Sequence, residues 1–156
     1  MSDSERLVSG EERELVTFRV VEQDFCLDII HVREIRGWTP ATVLPHAPNY
    51  VLGVINLRGA IVPIVDLACR FGFQNTVLGD RHVIVIAVVN EQTVGLLVDS
   101  VSDIIGVAPS AIQPTPDVTS QVTQAFIRGV IALEDRMLRL IDIGALLPSM
   151  PQSVVQ

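Results

Sequence analysis

"GVINLRGAIVPIVDL" occupies residues 53–67, and "GVIALEDRMLRLIDI" occupies residues 129–143. The two align without a gap: Gly53 meets Gly129, Leu57 meets Leu133, and Asp66 meets Asp142. Each reads as two apolar runs around a short polar turn, the pattern of a β-hairpin. A second correspondence lies upstream. "FCLDIIHVREI" (25–35) lies over "VGLLVDSVSDI" (94–104), so that Phe25, Leu27, Ile29, Val32 and Ile35 fall on Val94, Leu96, Val98, Val101 and Ile104. Glu34 then falls on Asp103. A proline-bearing connector separates the blocks in both copies, with Pro40, Pro45 and Pro48 in the first and "APSAIQPTPDVTSQ" in the second. The chain is a duplication of a unit too short to be a robust domain by itself.

"ELVTFRVV" (14–21) alternates apolar and polar residues, and "DFCLDII" (24–30) follows across a polar turn at Glu22 and Gln23, which predicts a further hairpin. "HVREI" (31–35) continues either extended or helical. Each copy thus supplies about five short strands, a usual sheet size, and short strands with Gly and Pro turns indicate small barrels. The expected class is all-β: two five-stranded barrels related by pseudo-symmetry. Their shared boundary should be apolar, because neither buries its aliphatics alone. Asp66 and Asp142 end strands ahead of "LACRF" and "IGALL", which reads as an N-cap to a short helical turn in each copy. The expected organisation is a tail over 1–13, one domain over 14–147 and a tail over 148–156. Within the domain, about 14–80 carries the first barrel motifs and about 81–147 the second, with "QNTVLGDR" (74–81) between them.

Composition narrows the function. Of 156 residues 49% are hydrophobic, so a packed core is affordable, while the net charge of −7 and eleven basic residues, all arginine, leave no basic cluster for nucleic acid or anionic membranes. "MSDSERLVSGEEREL" has no apolar signal core, no apolar run approaches a membrane span, and Cys26 and Cys69 form no metal-spaced pair. A cytoplasmic, reduced setting is expected, without direct membrane insertion. The chemistry inventory is close to empty. Without lysine there is no P-loop or Schiff-base lysine, and neither G-x-S-x-G nor H-E-x-x-H occurs. His31, His46 and His82 are isolated, Asp99 and Asp103 are too few for a cation site, and Cys26 and Cys69 read as small core residues. The symmetric placement of Asp66 and Asp142 favours a fold role over acid–base catalysis. No catalytic residue, metal or cofactor is assigned.

The turns are where the copies part. "NLRG" (56–59) becomes "ALED" (132–135), so Arg58 meets Glu134 and the charge reverses. Two readings stay open here. Arg58 is a solvated turn residue beside Gly59, which supplies a positive φ, or it anchors an interface with its planar multi-donor group.

"VREIRGW", "YVLGVINLRGAIVPIVDLACRF", "VGLLVDSVSDI" and "RGVIALEDRMLRLIDIGALL" together resemble the bacterial chemotaxis coupling protein (CheW) family, over about residues 14–147. The resemblance implies two five-stranded SH3-like barrels and a non-enzymatic adaptor. It implies two partners: the cytoplasmic tip of methyl-accepting chemoreceptors, and the regulatory domain of the CheA-type histidine kinase, at membrane-associated receptor arrays. Carried onto this chain, it marks Asn56, Leu57, Arg58 and Gly59, with Gly53 ahead of the hairpin, and Val32, Glu34 and Ile35 of the V-x-E-I motif. Val101 and Ile104, the copy-two partners of Val32 and Ile35, are expected on the other side of an inter-barrel groove. Glu34 and Arg58 are expected to be neighbours and to pair, which would orient the guanidinium. The alternative class is a nucleic-acid-binding small barrel. A third is a small enzyme using Asp66 or Asp142.

Overall fold

The computed structural model describes residues 12–73, 79–115 and 124–148. The first copy supplies β1 (Arg13–Val20), β2 (Gln23–Asp28), β3 (Val32–Gly37), β4 (Val51–Leu57) and β5 (Ala60–Asp66). The second supplies β6 (Val83–Val89), β7 (Gln92–Val98), β8 (Ser100–Val107), β9 (Ile127–Ala132) and β10 (Met137–Ile141). "HVREI" resolves into the end of a 3-10 turn, Ile29–His31, followed by β3. The Asp28 carboxylate fixes that turn by accepting from the Ile30 amide at 3.1 Å.

The strands form two five-stranded sheets, ordered β8-β1-β2-β10-β9 and β3-β6-β7-β5-β4. Replacing each strand by its twin in the repeat converts one sheet into the other, so the pseudo-symmetry is carried strand by strand. The halves of the chain are nevertheless not the halves of the fold. The β1–β2 hairpin joins β8, β9 and β10, while the β6–β7 hairpin joins β3, β4 and β5. A cut near residue 80 divides the repeats but not the sheets.

Three apolar clusters fill this frame. Leu15, Cys26, Val107, Ile131, Leu138 and Leu140 lie within the first sheet. Ile55, Leu57, Val62, Ile64, Ile84, Ile86 and Leu97 lie within the second. The largest cluster draws on both, with Phe18, Phe25 and Leu27 of the first sheet meeting Val65, Val85 and Leu96 of the second. This shared core is the apolar boundary that two small barrels need. Cys26 is fully buried, and burial pushes its thiol up to about 12, so it is an inert packing residue.

Chain geometry at the edges places the turns. β4 is an edge strand, covered at Val54 by a two-bond bridge to Thr42, with N···O distances of 2.8 and 2.9 Å. Gly53 permits this approach, since a Cβ there would run into the Thr42 carbonyl oxygen. The second copy repeats the device with Gln113, Val130 and Gly129. Asp66 caps the helical turn Leu67–Arg70 by accepting from the Ala68 amide at 3.2 Å. Asp142 departs from that expectation: its side chain makes no cap to the turn Ile143–Leu146 and faces Arg128 at 3.7 Å.

Candidate functional site

The β4–β5 turn consists of Arg58 and Gly59 alone, because Leu57 pairs with Ala60. Both have positive φ, 52° and 88°. This is the primed two-residue turn whose twist matches the flanking strands. Glycine takes that conformation freely; arginine does so at a cost. The Asn56 side-chain oxygen accepts from the Gly59 amide at 3.0 Å and braces the turn. Three of the four residues of "NLRG" therefore shape it: Asn56 braces, Gly59 permits, and Leu57 is buried in the core of the second sheet. Arg58 projects outward, with 71% of its side chain exposed.

Arg58 Nη2 donates to Glu34 Oε1. Arg36, on the same face of β3 as Glu34, donates from Nη1 to the other carboxylate oxygen at 3.2 Å. The Arg58 hydrogen bond, supported by Arg36, holds the Glu34 carboxyl below the usual carboxylate range. Glu34 thus stays ionised and fixes two guanidinium groups. β3 and β4 are the two edges of their sheet, so the pair ties one edge to the turn that ends the other.

The second copy builds a counterpart from a different position. Asp103 on β8, the twin of Glu34, meets Arg136, at 3.2 and 3.3 Å from its two carboxylate oxygens. Arg136 is the twin of Ala60, two residues beyond the twin of Arg58. The Thr17 hydroxyl donates to Asp103 as well, and that bond, with Arg136, lowers its carboxyl. Charge pairing across the sheet edges is accordingly common to both copies. What differs is availability: only 22% of the Arg136 side chain is exposed.

The remaining candidates divide. Ile35 and Ile104 are exposed large apolar residues, at 46% and 56%, on the edge strands β3 and β8. Val32 and Val101 sit between, each packed against the shared core. Leu57 fills the barrel interior and Gly53 lies under the Thr42 bridge, so both support the turn from within. A cleft of about 660 Å³ lined by Arg13, Asp28, His31, Arg128 and Asp142, among others, includes none of the ten candidates. Sequence reasoning missed Arg36 and Arg136. The signal for Arg36 was its place two residues beyond Glu34, on one strand face. The repeat itself carries none for Arg136.

Among the described residues, no three His, Cys, Asp or Glu side chains converge as metal ligands, and no helix is long and apolar enough to cross a membrane. The arrangement offers pre-oriented hydrogen-bond donors beside exposed apolar side chains, which is the chemistry of recognition.

Comparisons with known proteins identify the family and the fold. The model of the CheW-like domain family matches residues 14–150. The chain is 52% identical to the chemotaxis protein CheW of Rhizobium meliloti (strain 1021), over 96% of each chain. It is 34% identical to the chemotaxis protein CheW of Klebsiella aerogenes, over 92% of this chain and 86% of that one. Its fold superposes on the crystal structure of the scaffolding protein TtCheW from Thermoanaerobacter tengcongensis with a TM-score of 0.77, at 32% identity, covering 83% of this chain and 88% of the other. The nucleic-acid alternative gains no support from these relatives. By sequence and by fold the chain belongs to the CheW-like family of chemotaxis scaffolding proteins.

Proposed function

We propose that the chain is a non-enzymatic adaptor that couples the cytoplasmic tips of methyl-accepting chemoreceptors to the regulatory domain of a CheA-type histidine kinase. It works in the cytoplasm, recruited to membrane-associated receptor arrays. One observation carries the reading. An exposed arginine is held at a strained turn by a carboxylate that orients it, in a family of chemotaxis scaffolds. Arg58 is the anchor of the contact surface and Glu34 its orienting partner. Ile35, Val32, Val101 and Ile104 supply the apolar contact, while Asn56, Leu57, Gly59 and Gly53 hold the turn in shape. Affinity in such an interface comes from a few anchors on an apolar base, and charge decides partner choice.

The test is co-purification with the chain from its native host, read by mass spectrometry. Recovery of both a chemoreceptor and a histidine kinase is expected. Recovery of neither, or of nucleic acid in their place, contradicts the adaptor reading.

A further inference from the structure

Two arginines converge on Glu34, and the repeat shows that the fold requires neither. The twin of Arg36 is Ile105, which packs against the interior of its own barrel. The twin of Arg58 is Glu134. Arg36 is moreover a poor fit to a purely structural role. Its Nε is buried with no hydrogen-bond partner among the described residues, a cost an isoleucine does not incur. Its side chain remains 32% exposed, so part of the guanidinium faces solvent. Each of the two guanidinium groups has five N–H donors and spends one on Glu34. Glu34 neutralises one of the two charges. A positive remainder is left on a chain whose net charge is −7.

We propose that Arg36 and Arg58, held in place by Glu34, form a two-guanidinium receptor for a carboxylate, an aspartate or glutamate side chain of the protein partner. Arg36 is then a partner-contact residue alongside Arg58. The inference rests on the adaptor reading and adds to it the chemistry of what docks. The shared carboxylate restrains both forks before binding, which reduces the ordering cost at the moment of contact. Charge-assisted N–H···O bonds from two guanidinium groups are among the stronger polar contacts available to a surface. The net charge of −7 disfavours unspecific contact with an acidic partner, so the cluster also contributes to orientation.

The experiment compares the full chain with its Arg36→Ile and Arg36→Lys variants. Each is titrated with a chemoreceptor cytoplasmic fragment and, separately, with the kinase regulatory domain, both from the same bacterium, and each variant's thermal midpoint is measured. The expected result is that Arg36→Ile binds at least one partner about tenfold more weakly. Its midpoint should stay unchanged or rise, its salt dependence should be shallower, and Arg36→Lys should recover part of the loss. Wild-type affinity for both partners in Arg36→Ile overturns the two-guanidinium site and leaves the adaptor reading standing. A lowered midpoint with equal loss against both partners assigns Arg36 to the fold and also overturns it. If the wild-type chain binds neither partner, the adaptor reading fails and this proposal with it.

Discussion

Arg58 occupies a backbone position that asparagine or glycine would take without strain. A non-glycine residue at such a φ costs on the order of 1 kcal/mol, and such costs gather at functional sites. Its twin Glu134 has no positive φ, so at this turn only the first copy carries the cost, although Val21, Glu22, Asn90 and Glu91 also have positive φ in the β1–β2 and β6–β7 turns. The neighbouring glycines separate two other effects. Gly59 has φ 88° but open space around it, whereas Gly53 has φ 150° and the Thr42 carbonyl directly in the way. Gly59→Ala should cost about 1 kcal/mol, the backbone penalty alone. Gly53→Ala adds a clash with backbone that does not move cheaply, and should cost about 2–4 kcal/mol. Denaturant midpoints of the two variants measure the difference, and equal losses would remove the close-approach account. Much of this was legible in the residues. "NLRG" between apolar runs announces a tight turn, and Gly59 its positive φ. That Arg58 shares that φ, and that Leu57 turns inward, depended on the register of β4 against β5, which the residues alone do not state.

At the scale of elements, each sheet is tied across its two edges by one acid–arginine contact: Glu34 with Arg58, and Asp103 with Arg136. Both carboxyls sit below their ordinary values, Glu34 chiefly through Arg58 and Asp103 chiefly through Thr17. A group whose folded value is depressed contributes stability that is complete above its unfolded value and lost as pH falls through the folded one. The ordinary values are 4.5 for the glutamate and 3.8 for the aspartate, so the loss begins near pH 4.5 and continues below it. A Glu34→Gln, Asp103→Asn double variant should therefore melt below wild type at neutral pH, and the two thermal midpoints should converge in acid. Parallel curves from pH 7 to pH 3 would show that the ties contribute nothing to the fold. The first tie was expected only through the family resemblance, which carries Glu34 and Arg58 in two short motifs. The second was not. The repeat aligns Arg58 with an acid, and only the folded hairpin brings Arg136 to Asp103 from two positions further on.

The whole molecule is an exchange of hairpins between two copies of one unit. Duplication was legible because twinned apolar positions keep the same spacing, and five strands per copy follow from hydrophobic period and turn residues. Which copy each hairpin joins was not legible. β1 and β6 carry similar patterns, and a strand's partners are chosen by tertiary packing rather than by local propensity. The exchange places residues from both copies in one shared core, against which Val32 and Val101 pack. The two edge strands bearing Ile35 and Ile104 are thereby both anchored, through Val32 and Val101, on the same core. The most direct test of the central claim is the Arg58→Glu variant in a reconstituted assembly of chemoreceptor, kinase and adaptor, with kinase activity and thermal midpoint read on the same preparations. The expected result is a cooperative unfolding transition with a midpoint lowered by no more than about 4 °C, the loss of one exposed ion pair, and kinase activity reduced to the level seen without adaptor. Wild-type activation by a folded Arg58→Glu chain would contradict the account.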